Sequence, residues 1–291
     1  MDGHGGRRPG AALSASRQEV RAAARRRRAQ RRTAVAAVST LVVLGALAAW
    51  ILTAPGWPDV RDTFFSVHDF RASFPDVLRG FWLDVKLFVI VEAIVLVIGL
   101  SIALVRTTRT PALFPFRAIA VVFCDVMRGV PTILLVYLVG FGVLALSLKG
   151  LPTDPLVLGG AALALSYSAY VAEVYRSGID SVHPTQMAGA LALGLTRVQA
   201  MRHVIVPQAV RRVIPPLLND FIALQKDVAL ISILGPAEAF RIAQIDAASN
   251  FVYTPLVSVA LLYLCVTIPL ARLVDHLQAR SRRSRGGAVA L

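Results

Sequence analysis

The residues able to do chemistry in this chain are charged groups set inside long apolar runs. Glu92 lies in a run over about residues 81–105, Asp125 and Arg128 in one over 119–146, and Lys226 and Asp227 in one over 213–234. A charge at the middle of a bilayer costs about 2.5–3.5 kcal/mol on insertion scales. Such groups therefore face a bundle interior or a water-filled route. They mark either a path for polar solutes or pairs that brace the bundle. Glu92, Arg128, Lys226 and Asp227 are the candidates for lining or bracing that path. Other chemistries are poorly served. Glu92, Asp125, Asp227 and Ser232 show no G-x-S-x-G and no paired-carboxylate pattern, which argues against an intramembrane enzyme. The histidines (His4, His68, His183, His203, His276) lack the helical spacing of a zinc site, so no metal is expected. Cys124 and Cys265 read as small apolar residues within spans. The sequence has no Gly-Lys pair, and so no G-x-x-x-x-G-K-[ST] phosphate cradle. Energy must come from a partner or a gradient.

These groups need membrane helices to position them. The chain is 56% hydrophobic and 16% charged, against about 25% charged for a soluble domain. Residues 33–52 carry no charge and would span about 30 Å as a helix. That run is too long for the apolar part of a cleaved signal peptide. Further spans are expected at about 81–105, 119–146, 156–174, 213–234 and 255–274. Pro131 lacks a backbone donor and pushes Val130 off the helix, so the third span reads as helix, break, helix. Residues 54–80 read as a polar connector at the membrane interface, punctuated by Trp57, Phe64, Phe65, Phe70 and Phe74. Residues 236–254 read as a second connector. The expected fold is an all-α polytopic membrane protein with about six transmembrane helices.

The net charge of +14 does not point to nucleic acid. The arginines gather at span edges, without interleaved aromatics or a known binding motif. Ten Lys and Arg fall in residues 1–32, three in 105–118, five in 175–212 and five in 272–291, against five in the opposite connectors. This asymmetry places both termini and the 175–212 loop in the cytoplasm. The segment at 1–32 reads as a basic cytoplasmic tail with some helix; its 17–32 stretch is either a helix on an anionic surface or disordered.

The 175–212 segment is too long for a turn, and loops of that length are usually functional. Met187, Leu191 and Leu195 recur every four residues. Gly194 is suited to close that helix at positive φ. Thr196 is an N-cap candidate with Gln199 three residues on. A second amphipathic piece over 197–206 would stop at Pro207. Ala188, Gly189, Ala190 and Ala192 leave a smooth face that either admits a partner or lies on lipid.

The stretch over 170–233 resembles the polar amino-acid permeases of ABC importers. The resemblance rests on Ala169-Tyr170-Val171-Ala172-Glu173, Arg176, Gly178-Ile179, Ser181-Val182, Gln186, Ala192-Leu193-Gly194 and Val206-Pro207-Gln208-Ala209. Pro215, Asn219, Ile222, Leu224, Lys226-Asp227 and, upstream, Arg128-Gly129-Val130-Pro131 extend it. It covers about residues 81–277. The chain departs from the family pattern in three places. Ala188-Gly189-Ala190 stands where the family has E-A-A, Thr185 replaces a glycine, and Val228-Ala229 follows Lys226-Asp227 in place of T-S.

The resemblance implies a five-helix permease core over 81–277, preceded by an extra helix at 33–52 and flanked by basic tails at 1–32 and 278–291. It implies that Gln186, Ala188, Gly189, Ala190, Ala192, Leu193 and Gly194 form a coupling helix seated on a separate ATPase subunit, which holds ATP and Mg. It further implies an extracytoplasmic solute-binding protein, a second permease copy or relative, residence in the inner membrane, and a polar amino acid or similar solute. A gradient-driven carrier using Glu92 is the alternative from the residues alone. It predicts inverted repeats, which the sequence does not display.

Overall fold

Helices account for nearly all of the structure, a computed structural model that describes residues 9–108, 110–146 and 149–286, with side chains from 31 to 279 of these. The outermost parts of both basic tails, and Arg109, lie outside the described residues. No strand occurs among the described residues. The chain divides into two units, 1–61 and 62–291.

The first unit is dominated by α1 (Pro9–Leu52). Within it Arg31–Leu52 is apolar enough to cross a membrane, and none of its most apolar stretch is buried. α2 (Trp57–Phe64) runs across residues 61 and 62, where the units divide, and the second unit continues as α3 (Val67–Thr107), α4 (Phe114–Gly129), α5 (Thr132–Leu146), α6 (Pro155–Asp180), α7 (Pro184–Ala192), α8 (Arg197–Ala200), α9 (Val206–Asp227), α10 (Ala239–Asn250) and α11 (Thr254–Gly286). Four helices are long and apolar enough to span, and up to six spans result if each of two bent pairs counts as one.

The core is organised around α6, the span with the largest buried share. Its sequence explains this position. Gly159, Gly160, Ala162, Ala164, Ser166, Ser168, Ala169 and Ala172 are all buried, and small residues let membrane helices approach closely where hydrophobic sorting gives no drive. α3, α5, α9 and the 3-10 turn Val228–Leu234 close round it through Phe88, Val91, Val95, Val136, Leu224, Val228 and Ile231. A methyl at Gly140 of α5 would run into the Leu234 side chain.

Several expectations are corrected. The 54–80 connector is largely helical, because α3 begins at Val67. Pro75 removes one backbone bond from it, yet the helix continues, since Ser73, Val77 and Gly80 are buried and Val77 and Phe81 pack on α10 and α11. Residues 236–254 contain α10, whose first amides (Phe240, Arg241) donate to both carboxylate oxygens of Glu238 at 2.8 and 2.6 Å. The helix–break–helix at Pro131 is present, but α4 and α5 meet at 105° and do not form one straight span. Pro207 does not stop the 197–206 piece. A π turn over Met201–Ile205 leads into α9. The wider turn, closed by the Val206 amide on the Met201 carbonyl, accommodates a residue with no N–H to give.

Candidate functional site

Two regions collect the residues singled out by sequence. The first is the loop after α6. Its base is fixed where Arg212 of α9 donates to the Ser181 carbonyl, and to its hydroxyl at 3.0 Å. Val182, Ile205 and Ala209, with Ile179, Met187 and Val204, make a small apolar core beneath it. His183 caps α7 by accepting the Thr185 amide at 3.3 Å.

α7 ends as its glycine predicts. Gly194 has φ +84°, its amide donates to Leu191 at 3.0 Å, and the Leu195 amide donates to Ala190 at 3.2 Å. These two bonds satisfy carbonyls that a helix end otherwise leaves open. Thr196 then accepts the Gln199 amide at 3.3 Å, while the Gln199 side chain accepts the Thr196 amide at 2.9 Å, a reciprocal cap.

The predicted loop residues divide by face. Ala190 is buried. Gln186 accepts from the Gln208 side chain at 3.2 Å, tying α7 to α9. Ala188, Gly189, Ala192 and Gly194 are exposed, and Leu193 is 85% exposed. The smooth face therefore loses Ala190, because a 100° turn per residue carries it inward with Met187. Val198, 76% exposed at the same tip, was not singled out by sequence.

The second region is the interior between α3, α4, α6 and α9. No ion pair joins any two of Glu92, Arg128, Lys226 and Asp227 among the described residues. Glu92 is half-buried on α3 and lies within electrostatic reach of Asp220 on α9. Asp227 accepts from the Tyr167 hydroxyl at 2.8 Å. Lys226 is exposed. Arg128 approaches Glu173 at 3.5 Å and lies over the Tyr170 ring at 5.8 Å. Glu173 also receives Arg106 at 2.9 Å and Arg176. For Arg128 and Asp227, mutual charge pairing, one of the two roles open to these residues, is thus replaced by pairing to tyrosines and to Glu173.

A cleft lined by Arg128, Tyr170, Glu173, Val174, Ser177 and Asp220 opens here. Oδ2 of Asp220 is buried without a hydrogen-bond partner, a costly state unless something polar visits it. Asp220, Glu173, Tyr167 and Tyr170 were absent from the sequence-derived site. One signal pointed to Asp220: it precedes Asp227 by seven residues, which places both on one face of α9.

The family model described as "Binding-protein-dependent transport system inner membrane component" matches residues 96–283. The chain belongs to this family. It is 33% identical over 213 residues to the Bacillus subtilis (strain 168) protein named "Probable glutamine ABC transporter permease protein GlnM", covering 73% of this chain and 96% of that one. It is 35% identical over 188 residues to the "Glutamine transport system permease protein GlnP" of Escherichia coli (strain K12), covering 64% and 84%. Among solved structures, an amino acid ABC transporter crystallised with histidines superposes with a TM-score of 0.67 at 30% identity, over 74% of this chain and 98% of that one. Family membership removes the gradient-driven carrier built on Glu92.

Proposed function

We propose that this chain is the membrane-spanning permease of an importer that carries a polar amino acid into the cytoplasm, powered by ATP hydrolysis on a separate subunit. The observation that carries the reading is the tip of the loop after α6. Leu193 and Val198 stand exposed there, on a segment whose ends are firmly fixed and whose helix is capped at both ends. Leu193 and Val198 give this capped loop apolar surface to bury against a partner. Gln186, Ala188, Gly189, Ala190, Ala192, Leu193 and Gly194 belong to that element, with Ala190 buried beneath it and Gln186 tying it to α9.

The asymmetry of basic residues puts the loop and both termini in the cytoplasm. The docking partner is then the ATPase, which holds ATP and Mg. A solute-binding protein meets the opposite face, at α2, the start of α3, and α10. A second copy of the chain completes the path, since closed two-fold assembly is the commonest solution for a homo-oligomer. Arg128, Glu92, Asp220, Asp227 and Lys226 supply both signs of charge along it, as a zwitterionic solute requires.

The test is uptake of labelled amino acids into vesicles containing the chain, its ATPase and its binding protein. ATP-dependent uptake of at least one polar amino acid is expected, and Glu92→Gln should change its rate or its preference among solutes. ATP-independent uptake driven by a proton gradient would contradict the reading. A normal profile for Glu92→Gln would return Glu92 to a purely structural place.

A further inference from the structure

The bend between α4 and α5 is held by one face of α6. Ser166, Tyr170 and Glu173 follow at four- and three-residue steps, the spacing that stacks side chains on one side of a helix. Each touches the break. The Ser166 and Thr132 hydroxyls lie 3.3 Å apart. The Tyr170 hydroxyl donates to the Arg128 carbonyl at 3.4 Å. Glu173 meets the Arg128 side chain at 3.5 Å. Between them Val130 is extended, with φ −94° and ψ 131°, and Pro131 has no N–H. The break leaves the Arg128 carbonyl without a helical donor, and Tyr170 takes that donor's place.

We propose that the α4–α5 break is a hinge in the transport cycle, and that Ser166, Tyr170 and Glu173 are the positioning residues that clamp it. This rests on the importer reading above. Two features make the clamp releasable. First, Glu173 is held more closely by Arg106, whose side chain is 10% exposed, and by Arg176 than by Arg128, whose side chain is 39% exposed. When Arg128 departs, Glu173 keeps two cationic partners, so no buried charge is orphaned. Second, all three clamp contacts are polar and exchangeable. A hinge that alternates between two such arrangements would convert small shifts into gate movements.

The same face of α6 is connected to the loop. α6 runs on from Glu173 to Asp180, a rise of about 10 Å, and Arg176 binds Asp180 at 2.6 Å. Arg212 grips Ser181 immediately beyond. A pull on the loop thus reaches the clamp through two turns of one helix.

The experiment is a reversible lock. Thr132→Cys and Ser166→Cys are introduced together in a background with Cys124→Ala and Cys265→Ser that transports. The chain is purified with its ATPase, placed in vesicles and oxidised. The hydroxyl contact puts two sulfurs at those positions within reach of a disulfide. ATP-driven uptake should fall at least tenfold on oxidation and return on reduction, with the ATPase bound in both states. A cross-linked chain that transports as fast as the same chain after reduction of the disulfide would overturn the hinge while leaving the importer reading intact. Failure of the cross-link to form would overturn the clamp geometry. An ATPase absent from both forms would overturn the importer reading and the hinge with it. Tyr170→Phe and Glu173→Gln supply the second readout. Solute moved per ATP should drop while ATP hydrolysis continues, whereas an unchanged ratio would reduce both residues to packing.

Discussion

Replacing Gly194 isolates the backbone geometry of the loop from its contacts. A Cβ built at this position meets nothing within 4 Å, so a side chain there introduces no clash. The penalty is conformational alone. At φ +84° an ordinary L-residue pays about 1–2 kcal/mol, and a β-branched one lies further outside its preferred region. Asparagine tolerates left-handed backbone. α7 has nine residues, well short of the length at which an isolated helix holds in water. Its last turn therefore depends on this cap, and a loss of 1–2 kcal/mol lowers the capped population by roughly 5- to 30-fold. The order Gly194→Asn, Gly194→Ala, Gly194→Val should trace a rising loss of ATPase retention in mild detergent and of ATP-driven uptake. Membrane content should stay level across the series. If Gly194→Val matched Gly194→Asn in both assays, the left-handed joint would have no part in coupling.

Three further outcomes follow from packing and capping. Thr196→Ala removes the reciprocal cap with Gln199, at a cost of about 1 kcal/mol; ATPase retention should weaken less than in Gly194→Val. Tyr167→Phe strips Asp227 of its 2.8 Å donor and should cost about 1–3 kcal/mol. That loss should be read as a lower melting temperature in detergent and partly recovered by adding Asp227→Asn. Leu224→Ala opens a cavity at a fully buried position and should cost about 2–5 kcal/mol. It should lower the melting temperature without altering which solutes are transported.

What the sequence made legible follows from which interactions are local. The Gly194 joint and the Thr196–Gln199 cap are set within a few residues, and both stand in the structure. The break at Pro131 was equally local, but its 105° angle depends on what α6 offers Arg128 and Thr132 from 34 to 45 positions away. α10 escaped detection for a similar reason. Its residues lack a strong apolar stripe, and it is stabilised by the Glu238 cap and by burial of Ala239 and Ala243 among residues of α3 and α11. Pro207 was given too much weight as a helix breaker, since a π turn absorbs the missing bond. For the interior charges, single residues were visible as anomalies in apolar runs. Their partners were not, because Tyr167, Tyr170 and Glu173 are ordinary residues until the fold brings them opposite Asp227 and Arg128.

The central claim is that this permease works with a separate ATPase docked on the loop after α6. The most direct measurement is extraction of the chain from native membranes in mild detergent, with mass spectrometry of whatever accompanies it, for the wild type and for Gly194→Val. An ATPase subunit is expected with the wild type, and its loss or marked reduction with the variant. A chain that repeatedly emerges without any ATPase would contradict the claim.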